Sequence, residues 1–353
     1  MKKTLVALAV LAASGASFAQ VTITGNLTMG YQADTTGAVN SSADASGFGV
    51  DTSQINFAAT EDLGGGMKAT AKLSLAGADR SNESAAAGVN GSVTGRDASL
   101  ALQTSVGVLT LATVKAADYL SGTFAGVGSY YSGWDGKVFG ARSSRDTISY
   151  SLPIGAFTVT GTYQETANQV GLGGGTSGAA GTTGQSFSAL SATYAAGKAT
   201  AHAAFLSFNS NQATGAVKDQ TRLSGNYDLG MAKLGAGVVV TNHTGGGLLN
   251  GGANPRITDM EVGANIPFGA AYLGASFVSR KIDDAETIGN ASGTNTGYSL
   301  EVGYNLSKRT ALIANYARWT QGAQVAGAGA ATFGVVANQQ ASNRTQILLS
   351  HSF

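Results

Sequence analysis

The sequence lacks several features that commonly stabilise exported proteins. It has no cysteine and only 3 prolines in 353 residues, and charged residues make up 12%. Without cysteine no disulfide framework can form, so the stability of an exported chain must come from elsewhere. The charged share is about half the usual one, and small residues dominate, with 51 glycines among them. The apolar residues are too scattered for helical stripes and too numerous for a disordered polar tract. A closed, hydrogen-bonded sheet would supply the missing stability.

Long apolar runs are also missing, since none reaches the ~18 residues that a membrane-spanning helix requires. The chain instead begins with a basic start (Lys2 and Lys3), a short apolar core and a small-residue cleavage site that ends at Ala19. This pattern predicts a secretory signal peptide over 1–19 and one mature domain over 20–353. The formal net charge of +1 stays close to zero after cleavage, which gives no basic surface for nucleic acid.

Alternation in steps of two residues is the most abundant pattern. The segment 52–75 reads TSQINFAATEDLGGGMKATAKLSL and holds two such stretches around a glycine turn at 61–66. Ile55 and Phe57 alternate with polar residues before the turn, and Leu73 belongs to the apolar set after it. In a strand this pattern makes one apolar and one polar face. Each arm has about ten residues, the length that a tilted strand needs to cross a bilayer.

The same pattern recurs through the mature chain and predicts sixteen strands. These are 21–31, 52–60, 67–76, 96–104, 108–114, 147–153, 157–166, 186–195, 199–208, 219–228, 232–241, 256–266, 270–280, 296–306, 310–319 and 343–353.

The connections between these strands alternate strictly between short and long. The seven short ones are 61–66, 105–107, 154–156, 196–198, 229–231, 267–269 and 307–309. The eight long, glycine-rich ones are 32–51, 77–95, 115–146, 167–185, 209–218, 242–255, 281–295 and 320–342. An even number of strands with both ends on the short-turn side is typical of a bacterial outer-membrane barrel, with periplasmic turns and longer external loops. The fold class is therefore all-β, a 16-stranded antiparallel transmembrane β-barrel.

The number of strands predicts what the barrel encloses. Eight strands leave room only for side chains, whereas sixteen to eighteen leave an aqueous channel. Because a Lys or Arg that faces lipid at mid-depth costs roughly 2–4 kcal/mol, charges on one strand face mark the wet side. Such charges are Lys68, Lys72, Arg222, Lys233, Asp259, Glu261, Glu301 and Arg344.

Four segments resemble the general porins of beta-proteobacteria, a Gram-negative family. TEDLGGGMKA at 60–69 is similar to the family's hairpin between the second and third strands, and VTITG at 21–25 to its first strand. RDTISYSLP at 145–153 is similar to the strand that leaves the third loop, and the ending His351-Ser352-Phe353 to the family's terminal His-x-Phe.

This resemblance implies a homotrimer of barrels, each with a third loop that folds inward and narrows the pore. The third long connection, 115–146, is the longest at 32 residues. The candidate pore-lining and constriction residues are Lys68, Lys72, Lys115, Asp118, Asp135, Arg142, Arg145, Arg222 and Lys233. Phe353 is the candidate assembly signal, which implies the outer-membrane assembly machinery as a partner, beside membrane lipid and lipopolysaccharide.

The sequence also departs from this family. The porin pattern has arginine at the positions of Gln54 and Ala58, and Gly-Arg in place of Ala112-Thr113. All three arginines would contribute positive charge near the constriction. Their absence leaves the sign of the ion selectivity open, with Lys68 and Lys72 as partial replacements.

Other readings have less support in the residues. The histidines have no metal-ligand spacing and there is no G-x-S-x-G motif, so we expect no metal, no cofactor and no enzyme. A secreted adhesin or β-solenoid would repeat at a fixed period, which these alternating connections do not.

A substrate-specific channel is a closer alternative. A sugar channel would need aromatic residues along the lumen, whereas the strand aromatics mostly share the apolar face. Those near strand ends fit interfacial girdles: Tyr31, Tyr150, Tyr163, Tyr227, Tyr304, Tyr316 and Trp319. The sequence thus predicts an outer-membrane general diffusion porin, a passive, water-filled path for small hydrophilic solutes and ions.

Overall fold

The fold comes from a computed structural model, which describes part of the chain. The described residues are 20–36, 45–77, 93–115, 119–120, 134, 137–140, 144–166, 186–209, 217–244, 255–283, 293–320 and 342–353. The predicted signal peptide and much of each long connection lie outside these ranges. Within the ranges, none of the chain forms a helix long and apolar enough to cross a membrane.

The described residues form sixteen strands, so the predicted strand count is confirmed. They are β1 (Gln20–Thr36), β2 (Ala45–Gly64), β3 (Met67–Ala76), β4 (Thr94–Gln103), β5 (Val108–Lys115), β6 (Ser144–Ile154), β7 (Phe157–Thr166), β8 (Ser186–Ala196), β9 (Ala199–Asn209), β10 (Val217–Asp228), β11 (Lys233–His243), β12 (Arg256–Phe268), β13 (Ala271–Asp283), β14 (Gly293–Asn305), β15 (Thr310–Trp319) and β16 (Ser342–Ser352).

The largest difference from the predicted bounds lies between the first two strands. β1 and β2 continue into the predicted connection 32–51, and their pairing extends as far as Asp34 opposite Ala45. The extension of β1 is mostly polar, and in β2 a bulge that skips Asp51 sets Phe48 and Val50 out of step with Ile55 and Phe57, which interrupts the apolar alternation. Backbone hydrogen bonds hold a ladder together whatever the side chains are, so a hairpin can continue into polar sequence.

The sheet closes on itself. Each strand pairs with its neighbours in sequence, and β1 pairs with β16, so the order runs unbroken around the barrel. All pairings are antiparallel, and the closing one places Asn26 opposite Ser352. A closed barrel satisfies the backbone groups between strands and leaves no open sheet edge, which is what the hydrocarbon core of a membrane demands.

The two faces of the sheet differ as the alternation predicts. On β14 the outward Leu300 is 52% exposed, whereas the inward Ser299 and Glu301 are at most 1% exposed. Leu100 on β4 and Leu190 on β8 are likewise outward and exposed. The outside is therefore an apolar surface suited to lipid, and the inside carries the polar and charged groups.

The short turns are also confirmed. In the first of them Gly64, Gly65 and Gly66 all have positive φ, at 77°, 62° and 80°. Side chains with a Cβ rarely adopt this left-handed region, so three glycines allow the chain to reverse over a few residues. The Gly64 amide donates to Asp62 Oδ1 at 2.9 Å, which ties down the start of the turn.

Candidate pore lining and constriction

The predicted lysines lie on the inward side of the barrel wall. Lys68 and Lys72 alternate with the outward Leu73 on β3, and Lys233 precedes the outward Leu234 on β11. Strands β3 and β11 are eight positions apart in a ring of sixteen, so they face each other across the lumen. Lys68 and Lys233 adjoin short turns, whereas Lys72 is four residues, or about 13 Å, further along its strand. All three side chains are exposed, which places their charges in the water of the lumen.

Two predicted arginines come together on another part of the wall. Arg222 on β10 and Arg145 on β6 are close enough to repel each other electrostatically. The sequence pattern places Arg145 in the third connection, but it lies in β6, where its side chain is buried. The third connection itself contributes Tyr119, whose ring centroid lies 3.5 Å from Cζ of Arg222. This cation–π contact attaches the start of the third connection to the barrel wall.

A histidine completes this contact. The rings of Tyr119 and His202, on β9, are 5.7 Å apart between centroids. Arg222 also donates from Nε to Gln220 Oε1 at 2.6 Å, which fixes the plane of its guanidinium group. His202 is therefore an inward wall residue.

A second, apolar contact joins the third connection to the opposite side of the lumen. Four described residues between β5 and β6 are buried, and they pack against inward residues of β11, β13 and β15 in one cluster. Its members are Leu120, Trp134, Val138, Phe139, Val239, Val278, Ala317 and Trp319. Without the loop residues, the apolar side chains on the inner wall would be exposed to the water of the lumen. Packing against the loop residues buries both sets of side chains.

Trp134 is at the centre of the cluster. It is fully buried, and its backbone oxygen accepts hydrogen bonds from the amides of Lys137, Val138 and Phe139 at 3.0–3.1 Å. Its ring occupies the space above Gly297 on β14, where an added Cβ would lie 2.5 Å from Cζ3. Only glycine at position 297 therefore leaves room for the indole ring of Trp134.

The prediction of Trp319 as an interfacial aromatic is wrong. It alternates with outward residues of β15, is 4% exposed, and faces the lumen with Lys137 Nζ at 5.6 Å from its ring. At the end of a strand few further residues show which face is the apolar one. The alternation therefore does not determine the face of Trp319 by itself. Tyr150, Tyr163, Tyr227 and Tyr304 are outward and exposed as predicted.

Several predicted site residues are not part of this arrangement. Asp118, Asp135 and Arg142 lie outside the described residues. Lys115 ends β5 on the same side as the outward Leu111, and its amide donates to Asp97 Oδ1 at 2.8 Å.

The positions where the family pattern has arginine are not equivalent in the structure. Gln54 and Ala58 face the lumen, opposite Ala76 and Lys72 of β3. Thr113 instead lies on the outward side, where its hydroxyl donates to Asp146. The loss of a basic residue from the lumen wall therefore concerns Gln54 and Ala58.

Carboxylates on the far wall have polar partners. Tyr272 donates from its hydroxyl to Glu301 Oε1 at 2.6 Å, and Asn315 donates to Oε2 at 3.2 Å. Arg280 and Asp259 form an ion pair at 3.4 Å between β13 and β12. Sequence alternation places these charges on the inner face but contains no signal for which groups pair.

The last residue of the chain completes the seam between β1 and β16. Phe353 donates from its amide to the Gly25 oxygen at 3.0 Å and accepts from the Gly25 amide at 2.9 Å. Its ring lies over Gly25, where an added Cβ would be 2.3 Å from Cζ. The role of Phe353 as an assembly signal stays a prediction.

Sixteen antiparallel strands that close around a polar, charged interior define a channel-forming barrel of the outer-membrane type. The chain belongs to the Gram-negative porin family, since the sequence model of that family matches residues 4–349. It is therefore an outer-membrane porin, from a family of channel proteins rather than enzymes. No curated protein sequence matches the chain.

Solved porin structures share the fold. The anion-selective porin from Comamonas acidovorans has a TM-score of 0.65 and 21% identity, covering 95% of this chain and 100% of that one. A porin refined at 1.8 Å resolution has a TM-score of 0.63 and 16% identity with the same coverage. A loop-deletion mutant of the Vibrio cholerae outer membrane protein OmpT has a TM-score of 0.59 and 15% identity, covering 95% and 99%.

Proposed function

We propose that this porin is a general diffusion channel, which admits small hydrophilic solutes and ions passively through a water-filled lumen. The supporting observation is the closed ring of sixteen strands with polar and charged residues on its inner face. A barrel of this width is too large for its own strand side chains to fill. Reconstitution into a planar bilayer tests the proposal, with stepwise conductance as the expected result. A folded barrel that gives no conductance steps would contradict it.

The third connection is proposed to narrow this lumen. The support is the contact of Tyr119 with Arg222 and the burial of Trp134 against inward strand residues. With the loop held inside, the wall residues Lys68, Lys72, Arg145, Arg222 and Lys233 would line the passage. Asp118, Asp135 and Arg142 are proposed constriction residues on the strength of the family resemblance.

General and substrate-specific channels differ in how uptake depends on the solute. Swelling of liposomes that contain the protein should slow smoothly as uncharged sugars become larger. A specific channel would instead take up one solute much faster than others of equal size, and the rate would saturate. The two inward tryptophans favour the general channel, because both are buried in the loop contact and neither offers a stacking surface to a sugar.

The lysines of β3 are proposed to favour anions. Lys72 is an exposed, inward cation at mid-strand, and the Comamonas acidovorans relative is described as anion-selective. Lys72→Gln should move the reversal potential in a salt gradient towards cations, because a fixed charge at the pore wall acts on ions within about 8 Å at physiological salt. Lys308→Gln is the matched control, since Lys308 is exposed in the short connection between β14 and β15. Equal effects of the two substitutions would reject Lys72 as a pore charge.

Export and assembly complete the proposal. Removal of residues 1–19 predicts that the amino-terminal sequence of the mature protein starts at Gln20. If the protein is a homotrimer, cross-linking of the unheated protein in detergent should give a species with about three times the mass of one chain. Phe353 would serve as the signal that the outer-membrane assembly machinery binds, and the outward apolar face would contact lipid and lipopolysaccharide.

A further inference from the structure

A depression of about 580 Å³ lies on the outward wall of the barrel, between β8 and β12. Its floor consists of small residues on three neighbouring strands. Ala201 on β9 lies opposite Gly225 on β10, and Gly225 lies opposite Ala236 on β11. Ala203, two residues further along β9, extends the floor away from the short turn. The alanines are exposed and alternate with inward residues, so the floor faces lipid.

Large outward side chains enclose the floor on two sides. On one side the rings of Phe157 and Tyr194 are 5.0 Å apart between centroids. On the other side Met260 and Val262 of β12 are each about half exposed. These walls on β8 and β12 are four strand spacings, or about 19 Å, apart. The lining is almost wholly apolar, and the volume lies in the range of pockets that bind small molecules.

The depression lies in the half of the membrane next to the periplasm. Ala201 and Ala203 are two and four residues from the start of β9 at Ala199, or about 7 and 13 Å along the strand. The short turns face the periplasm, and the hydrocarbon core is about 30 Å thick. The floor therefore begins just inside the periplasmic boundary of the hydrocarbon and ends before its middle. In this leaflet of an outer membrane the lipids are phospholipids.

A cation lies at the membrane boundary beneath the depression. Lys198 is exposed in the short turn between β8 and β9, and its Nζ lies 3.8 Å from the place of a Cβ on Gly230, in the turn between β10 and β11. The side chain therefore extends beneath β10, the middle strand of the floor. The carboxylate of Asp228, next to it, accepts from the Gly230 amide at 2.7 Å. A lipid whose acyl chain filled the depression would have its phosphate at the level of Lys198.

A flexible chain fits this shape better than a second barrel does. The wall of a neighbouring barrel is convex and many strands wide, so it would rest on the rims and leave the floor without contacts. An acyl chain is narrow enough to lie along the floor between the rims. Because hydrocarbon surrounds this wall in any case, the gain in free energy would come from van der Waals contact with the small residues.

We propose that this depression binds one phospholipid of the periplasmic leaflet, with an acyl chain over Ala201, Ala203 and Ala236 and the phosphate group at Lys198. An anionic head group should bind better than a zwitterionic one, because the lysine adds an attraction for the extra negative charge. The inference concerns the outward wall, so it does not depend on whether the lumen conducts.

Native mass spectrometry of the detergent-solubilised protein tests the site. Protein taken from vesicles of phosphatidylethanolamine and phosphatidylglycerol should keep one phospholipid per chain. Ala203→Phe and Ala236→Phe each place a ring on the floor and should lose that lipid. Ala314→Phe is the matched control and should keep it, because Ala314 is an exposed outward residue of β15, outside the depression.

Each variant is first required to show the heat-modifiable migration of a folded barrel, so that lipid loss is not a folding defect. Absence of a retained phospholipid from the wild-type protein would overturn the proposal. Retention by both floor variants, or equal loss from the control, would do the same. A change in the number of chains per assembly in the floor variants, with lipid retention unchanged, would assign the depression to a contact between copies instead of lipid.

The role of Lys198 has a separate test. In mixed vesicles Lys198→Gln should abolish the preference of the retained lipid for phosphatidylglycerol while a phospholipid is still retained. Lys308→Gln removes a lysine from another short connection and should leave the preference unchanged. An equal preference in Lys198→Gln and the wild-type protein would reject Lys198 as the phosphate partner.

Discussion

Single glycines on the inside and outside of this barrel leave room for particular aromatic rings. Gly25 lies beneath Phe353 at the seam, and Gly297 lies beneath Trp134 in the lumen. Gly161, an outward strand glycine on β7, has no atom within 4 Å of an added Cβ. Strand glycine normally weakens a sheet because it has no side chain to pack, so the close rings at the first two positions are the physical reason for glycine there.

At Gly25 we expect valine to prevent proper closure of the seam. Its Cβ would lie 2.3 Å from Phe353 Cζ and 2.7 Å from the Gln54 backbone oxygen, which cannot move without breaking the β1–β2 ladder. Gly25→Val should lower the temperature at which the folded, fast-migrating band on a gel converts to the unfolded one. Gly161→Val is the control and should not lower it, because its side chain has open space on the lipid face. Equal conversion temperatures for the two variants would argue against a tight seam at Gly25.

The third connection is the element that we propose to set the width of the lumen. Its described residues contact the wall at two places, through Tyr119 on Arg222 and through Trp134 in the apolar cluster. Neither contact involves the strand ladders. The barrel and the loop should therefore respond separately to substitution.

Trp134→Ala should release the loop and leave the barrel folded. Truncation of a buried tryptophan removes about 3–5 kcal/mol of packing, here from the contact between loop and wall. We expect a higher and noisier single-channel conductance with an unchanged heat-conversion temperature. Gly297→Ala should act in the same direction, because its Cβ would meet the indole at 2.5 Å. Gly161→Ala supplies the neutral comparison, and a wild-type conductance in both loop variants would show that this anchor does not set the pore width.

On the scale of the whole molecule, closure depends on the pairing of the first strand with the last. Arg344 on β16 donates from Nε and Nη2 to the two carboxylate oxygens of Asp34 on β1, both at 2.7 Å. Two residues nearer the middle of the barrel wall, Gln346 donates to Gln32 at 2.9 Å. A bidentate ion pair combines charge with fixed geometry, so it helps select the register at the seam.

A double-mutant cycle with Asp34→Asn and Arg344→Gln should give a coupling free energy of about 1–2 kcal/mol, because the pair is partly shielded and bidentate. The measurement is unfolding by urea in lipid vesicles. The ion pair of Lys281 with Asp283 on β13 is the control, since it is more exposed and lies within one strand. Its coupling should be close to zero. Similar couplings for both pairs would mean that the seam pair adds no more than an exposed contact.

Strand count, strand faces and the short turns could be predicted from the sequence because lipid and water impose them locally. Each strand has lipid on one side and an aqueous lumen on the other, so Leu73 and Lys72 differ in polarity for reasons confined to a few residues. The glycines at 64–66 are also determined locally, because the positive φ angles of this tight turn require glycine at those positions. These features need no knowledge of distant parts of the chain.

What only the tertiary structure decided involves groups that are distant in sequence or break the alternation. Val278 and Trp319 are apolar residues on the inner face, and their burial depends on a loop that approaches from the other side of the lumen. Strict alternation along β4 would turn Arg96 towards lipid, but one residue is inserted there and Arg96 donates to the inward Gln54. A single insertion reverses parity without changing the composition. The sequence by itself determined a wide transmembrane barrel, since burial in lipid acts on every strand separately. The pairing of charges and the placing of the loop follow from closure of that barrel, which brings residues more than 300 positions apart, such as Asp34 and Arg344, into contact.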